Sequence, residues 1–163
     1  MDVGCAGGTK SKYFMNKGLR VVGIDLSEKM IEIAKREVPT GTFSVLDLAD
    51  INTLKYEFDG IFMQAVLLHI PKKEIAADLK KISKKLKNGG YLYVAVKGMR
   101  PGGLEEEVKI ENDYGYNYQR FFSYFTSEEI ENHFRHCGLK IIFSEVDTCG
   151  KTNWIQIIGK KVS

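Results

Sequence analysis

Apolar residues along this chain fall into two alternating rhythms. Short, almost continuous apolar runs at 20–24, 42–46, 58–64 and 91–96 read as buried strands. Between them the spacing lengthens. Residues 27–37 read as a helix with Ser27 as its N-cap. From Pro71 to Leu86 the positions Ile75, Leu79, Ile82 and Leu86 make a single helical stripe, with Pro71 in the first turn. The polar run Lys87-Asn88-Gly89-Gly90 is the expected stop. Strand and helix in regular alternation predict right-handed crossovers and a doubly wound α/β fold, a mostly parallel sheet with helices on both faces.

The last third has a different rhythm. Thr126 and Glu129 form a capping box for a helix running to Cys137, and Gly138 ends it. Two further strands, 139–146 and 154–158, are joined by a connection too short for a crossover helix, so an antiparallel C-terminal hairpin is expected. Without repeat or low-complexity linker, 1–163 reads as one domain. At the front, only Met1-Asp2-Val3 precede a glycine-rich turn that a central strand should feed. Either further residues stand upstream in the natural protein, or the sheet holds a short middle strand.

Composition narrows the class. Against 24 Lys+Arg stand 21 Asp+Glu, a net charge of +3 that calls for neither nucleic acid nor anionic lipid. Three cysteines are too few and too odd for a disulfide scaffold, which fits a reducing compartment. With neither a long apolar run nor a secretory leader in view, the expectation is a soluble cytoplasmic protein, monomeric or homodimeric, with no membrane span. Residues 71–87 carry seven lysines against Glu74 and Asp78. That reads as a solvated helix face, with RNA binding as the alternative if aromatics or arginines stood beside it. His133, His136 and Cys137 suit a helix C-terminus better than a metal, and no metal site is expected.

The chemistry concentrates at the glycine turn. In Asp2-Val3-Gly4-Cys5-Ala6-Gly7-Gly8 the glycines let backbone approach a ligand and aim amides at it. Such a turn alone is a weak signal. Asp25 and Asp47, closing the next two strands, strengthen it: with Asp2 they put three acids at neighbouring strand ends, facing one crevice. A carboxylate at Asp25 suits the vicinal hydroxyls of a ribose. Phosphate would be repelled by Asp2, two residues ahead of the first glycine. A cationic ligand with an adenosine half, such as S-adenosylmethionine, suits the site better than a nicotinamide dinucleotide.

These motifs together resemble class I S-adenosylmethionine-dependent methyltransferases, nearest the small-molecule type related to ubiquinone and menaquinone biosynthesis. Asp2-x-Gly4-x-Ala6-x-Gly8 is similar to their first motif, and Gly23-Ile24-Asp25-Leu26-Ser27 with Met30 and Ala34 to the second. Asp47-Leu48, the stretch from Phe58 to Ile70, and Leu86 to Leu92 resemble the later ones. The resemblance implies a Rossmann-like seven-stranded sheet and S-adenosylmethionine as cofactor, leaving as S-adenosylhomocysteine. It implies that the backbone of Gly4, Cys5, Ala6 and Gly8 cradles the methionine moiety, with Asp2 on its amino group. Asp25 would hold the ribose, Leu26 and Met30 the adenine ring, and Asp47 with the Leu48 amide the adenine edge. Gln64 and Ala65 would pass beside the sulfonium. His69 would stand next to the transferred methyl as the catalytic candidate, or else cap the following helix. Two departures stand out. Ala6 occupies the usual middle glycine, and relatives carry a helix or more upstream that helps cover the substrate.

The acceptor side falls in an insertion, 99–125. Its aromatic run offers Tyr114, Tyr116 and Tyr118 as a substrate wall, with Arg120 able to clamp a carboxylate. Phe122 and Phe125 read as core. The expected activity is methyl transfer to oxygen, nitrogen or carbon of a small molecule. RNA or tRNA base methylation is the alternative, as is a non-catalytic cofactor-binding module should no upstream segment exist.

Overall fold

The computed structural model describes residues 1–112 and 115–162. Strands β1 (Asp2–Val3), β2 (Val22–Asp25), β3 (Thr42–Val45), β4 (Phe58–Gln64) and β5 (Leu86–Lys97) alternate with helices α1 (Thr9–Asn16), α2 (Glu28–Glu37) and α3 (Lys72–Lys84). Then follow β6 (Glu106–Glu111), β7 (Tyr118–Ser123), α4 (Ser127–His136), β8 (Leu139–Cys149) and β9 (Thr152–Lys161). Seven strands form one Rossmann-like sheet in the order β3-β2-β1-β4-β5-β9-β8. Its first five members pair in parallel, and β9 runs antiparallel to both β5 and β8. The order reverses between β1 and β4, the topological switch point where such sheets open a crevice at their carboxyl edge.

The predicted caps are in place. Ser27 Oγ accepts from the Met30 amide at 3.3 Å and Thr126 Oγ1 from the Glu129 amide at 3.2 Å. The middle strand is short but fully laddered: Asp2 and Val3 pair with Gly23 and Ile24 on one side and with Phe62 and Met63 on the other. Two expectations change. Residues 87–90 do not separate helix from strand; β5 begins at Leu86, opposite Phe58, and its register then shifts until Tyr91 faces Gly60. A bulge absorbs the glycines there. The C-terminal hairpin is also longer than expected, pairing out to Cys149 and Thr152, so Asp147, Thr148 and Asn153 are ladder residues and not loop.

Strand alternation divides the sheet into unlike faces. One face presents Ile61, Met63, Leu92, Val94, Val96, Ile155 and Ile157 to Ile75, Leu79 and Ile82 of α3 and to Ile130 and Phe134 of α4, and every one of these side chains is buried. The opposite face is covered over β2 and β3 by α2, through Ile31, Ala34 and Val38 packed on Phe43 and Cys5. Beyond β1 its cover thins. Phe14 of α1 meets Phe62 edge-on at 5.1 Å, Phe62 stacks on Tyr93 at 4.7 Å, and past them a cavity of about 580 Å³ is lined by Leu19, Tyr91, Ile142 and Ile158.

The insertion is a separate antiparallel ribbon. β6 pairs with β7 from Glu106 opposite Ser123 to Glu111 opposite Tyr118. Both ends of the insertion leave the sheet side by side, the Met99 amide donating to the Phe125 carbonyl at 2.8 Å and the Phe125 amide to Lys97 at 3.0 Å.

Candidate cofactor and acceptor site

The turn after β1 is locked to β2. The amides of Gly4 and Cys5 share the Ile24 carbonyl at 2.8 and 3.0 Å, and the Ala6 amide donates to Asp25 Oδ2 at 2.9 Å. Gly4 adopts φ +69°, where a side chain is strained, and a Cβ there would come within 2.6 Å of Val66. Ala6 lies at φ +46° and Ala65 at φ +58°, conformations that cost a non-glycine residue about 1–2 kcal/mol. Both of these strained alanines line the same cavity of about 230 Å³, with Asp2, Gly4, Cys5, Phe62 and Gln64. Backbone strain gathered at one concave site is a mark of function.

The three acids are not equivalent. Asp25 closes β2 as expected, whereas Asp47 lies two residues past the end of β3. Asp25 accepts one backbone amide on each oxygen, Ala6 on Oδ2 and Ser27 on Oδ1 at 2.9 Å, which leaves a lone pair on each for a diol. Asp47 Oδ1 accepts the Ala49 amide at 2.8 Å and so caps a turn of 3₁₀ helix, Leu48–Thr53. Asp2 sits one step deeper, level with Gly23. It is only 2% exposed, and its Oδ2 accepts from the Ser11 hydroxyl of α1 at 2.6 Å. Burial raises its pKa, against the opposing pull of that hydrogen bond. Leu26 is 70% exposed and Met30 half-buried on the lip beside Asp25, where apolar surface lies open for a flat ring. Cys5 is buried, and burial, with Asp2 and Asp25 adding to it, pushes its thiol up to about 12. It is a neutral packing residue whose backbone, not its sulfur, faces the crevice.

A buried carboxylate in the lining, two more along the rim and an apolar floor at Phe62 make poor surroundings for a pyrophosphate. They fit the ammonium, sulfonium and ribose of S-adenosylmethionine.

On the acceptor side the ribbon docks against the segment after β4. His69 Nδ1 lies 2.9 Å from the Phe121 carbonyl, which only accepts, so Nδ1 carries the proton and Nε2 keeps its lone pair. Burial lowers the His69 pKa, which keeps the ring neutral at physiological pH. The ring packs on Phe122 at 5.0 Å. From the opposite element, Lys97 at the end of β5 places its Nζ 4.1 Å from the same aromatic ring. Lys97 carried no sequence signal: a lysine closing an apolar strand looks like any strand end.

The tyrosine wall takes another form. Tyr114 lies outside the described residues. Tyr116 precedes β7 and is 63% exposed, while Tyr118 opens β7, their rings 5.8 Å apart. They therefore do not alternate along one strand. Arg120 is ion-paired with Glu111 at 2.8 Å and stacks over Tyr118 at 5.0 Å, so its guanidinium already holds a carboxylate of its own chain. The lysine helix is similarly engaged. Lys72 bridges Glu105 and Glu129, Lys81 pairs with Asp78, Lys87 with Asp59, and Lys85 donates to the carbonyls of Asn52 and Leu54.

Residues 1–94 match a family described as "Methyltransferase domain". The chain is 34% identical over 98 residues to a ubiquinone biosynthesis O-methyltransferase of Pelagibacter ubique, an alignment covering 58% of this chain and 40% of that one. It thus spans well under half the length of that relative. Among solved structures, a SAM-dependent methyltransferase of Methanosarcina mazei superposes with a TM-score of 0.84 at 22% identity, over 99% of this chain and 91% of that one. A 1,6-didemethyltoxoflavin-N1-methyltransferase of Burkholderia thailandensis, solved with its substrate and S-adenosylhomocysteine, gives 0.77 at 21% identity, over 99% and 70%. No described helix is long and apolar enough to cross a membrane.

Proposed function

Because the chain belongs to the methyltransferase-domain family, we propose that it binds S-adenosylmethionine and directs the methyl group, by in-line displacement, to an oxygen, nitrogen or carbon of a small molecule. The observation that carries this reading is the crevice at the switch point: a strained turn, an acid buried in its lining and a second acid pinned at the rim with lone pairs to spare. The cofactor supplies a methyl group activated on a sulfonium.

The chain's own residues position and desolvate. Backbone from Gly4 to Gly8 follows the methionine moiety, and Asp2, held by Ser11, faces its amino group. Asp25 accepts from the ribose hydroxyls, Leu26 and Met30 flank the adenine, and Asp47 with the Leu48 amide reads its edge. Gln64 and Ala65 pass the reacting centre. His69, with Nε2 unprotonated, can take a proton from an acceptor hydroxyl, although transfer to a good nucleophile needs mainly alignment and exclusion of water. We place residues 99–125 over the acceptor as the substrate side of a single domain, with Tyr116 and Tyr118 on its outer wall. We also place the protein in the cytoplasm, where its free cysteines stay reduced.

Thermal denaturation tests the cofactor reading. S-adenosylhomocysteine at about 100 times its Kd stabilises the native state by about 2.7 kcal/mol, a rise in Tm of several degrees. NAD at the same concentration leaves Tm unchanged. A rise with NAD alone, or with neither ligand, contradicts the proposal.

A further inference from the structure

We propose that the methyl acceptor carries an anionic group, a carboxylate or a phosphate, received by Lys97, Arg100 and Lys109 in a cavity at the carboxyl end of β5. This rests on the methyl-transfer reading above, since it takes that cavity as the acceptor's. The cavity holds about 310 Å³ and is walled by the start of the insertion, by Tyr124 of its return and by Asn153 at the start of β9.

Three cations and one carboxylate, Glu107, line it. Glu107 is taken by Lys109 at 2.9 Å, and the Lys109 Nζ also donates to the Tyr124 hydroxyl at 2.8 Å. Arg100 spends one N–H on the Lys151 carbonyl at 2.8 Å and, among the described residues, pairs with no acid. Lys97 is half-buried, and its ammonium rests on the Phe122 ring without a hydrogen-bond acceptor or acid among the described residues. Two positive charges, half-buried Lys97 and exposed Arg100, thus share a concave space, with no ion pair of their own among the described residues. Burial lowers the Lys97 pKa, and Lys109, Arg120 and Arg100 push it the same way while Glu111 opposes them. Such an arrangement is relieved by an anion, which gains charge-assisted hydrogen bonds where water competes poorly.

Position ties this cavity to the reaction. The Ala65 amide, in the cofactor crevice, donates to the Ala95 carbonyl at 2.9 Å, and Lys97 follows Ala95 on the same side of β5. His69 and Lys97 both lie against Phe122. The anion site at Lys97 and the His69 ring are thereby joined through the one buried Phe122 ring. A phosphate and a carboxylate share this chemistry, and the experiment separates them.

The probes are phenyl phosphate, benzoate and neutral phenol, titrated by NMR into protein in the presence of S-adenosylhomocysteine. At least one anion is expected to bind saturably, about ten-fold or more tighter than phenol, and to shift the His69 ring resonance. Lys97→Gln and Arg100→Gln lose about ten-fold, and Lys97→Arg keeps the affinity. Tighter binding of phenyl phosphate assigns a phosphate, tighter binding of benzoate a carboxylate. Equal affinity for phenol, unchanged affinity in both glutamine variants, or no saturable binding of either anion overturns the proposal. Binding of S-adenosylhomocysteine, measured on the same samples, reports the fold of each variant. Its absence in the wild type would sink the cofactor reading while leaving the anion result to stand by itself.

Discussion

Asp2 shows what a proposed site residue costs the fold. Its carboxyl is buried between β1 and α1 with a single hydroxyl partner, and burial raises its pKa. The sign follows from linkage: the folded state binds the proton more tightly than the unfolded chain. The residue therefore weakens the fold progressively as pH rises from the unfolded value near 3.8 through the raised one. Asp2→Asn keeps an acceptor for Ser11 and removes the charge. Its Tm at pH 7 should equal or exceed that of the wild type, with the difference shrinking at acid pH, while affinity for S-adenosylhomocysteine falls about ten-fold. A lower Tm at pH 7 would mean that the charge itself holds α1 to the sheet. At this scale the sequence was legible where a residue's role depends on its place along a strand. The place of Asp25 at the end of β2 is legible because strand ends at the carboxyl edge are predictable. The depth of Asp2, the strain at Ala65 and the half-buried ammonium-on-ring contact of Lys97 are not, since each arises from elements distant in the chain.

Elements with strong periodicity or a cap were readable nearly to the residue. The α3 stripe, the Ser27 and Thr126 caps and the apolar run of β4 all depend on neighbours within a few positions. The β6–β7 ribbon was not anticipated as a hairpin. Val108 and Ile110 alternate with charges but are exposed and only two in number, and the aromatic return strand mixes buried Phe122 with surface Gln119, so the ribbon carries only a short strand signal on one side and none on the other. The ribbon also supplies what α3 lacks. Pro71 begins that helix with no side chain to cap it, and Glu106 of β6 reaches in so that its Oε1 accepts the Lys72 amide at 2.6 Å. With Ser123 Oγ donating to the Ile70 carbonyl at 2.7 Å, this cap fastens the ribbon to the core. Glu106→Ala should cost about 1 kcal/mol in urea denaturation, the value of a lost N-cap. An unchanged midpoint would show the ribbon to be an independent flap.

At the scale of the whole molecule, the two faces of the sheet divide the labour. One is closed by α3 and α4 into a continuous core and fixes the strands. The other is packed by α2 over β2 and β3 and by α1 at β1 and Phe62, and beyond them Tyr91, Tyr93 and Ile142 lie along an open apolar cavity. That imbalance could not be read from the sequence, because period-two patterns mark a strand as two-sided without saying what covers each side. The sheet order reverses between β1 and β4, so the site is carried at the switch point by a two-residue strand that is paired on both sides. Calorimetric titration with S-adenosylhomocysteine, comparing wild type with Asp25→Ala, tests the central claim most directly. Saturable one-to-one binding that weakens about ten-fold or more in the variant is the predicted result. Equal heats from the two proteins, or none from the wild type, would contradict it.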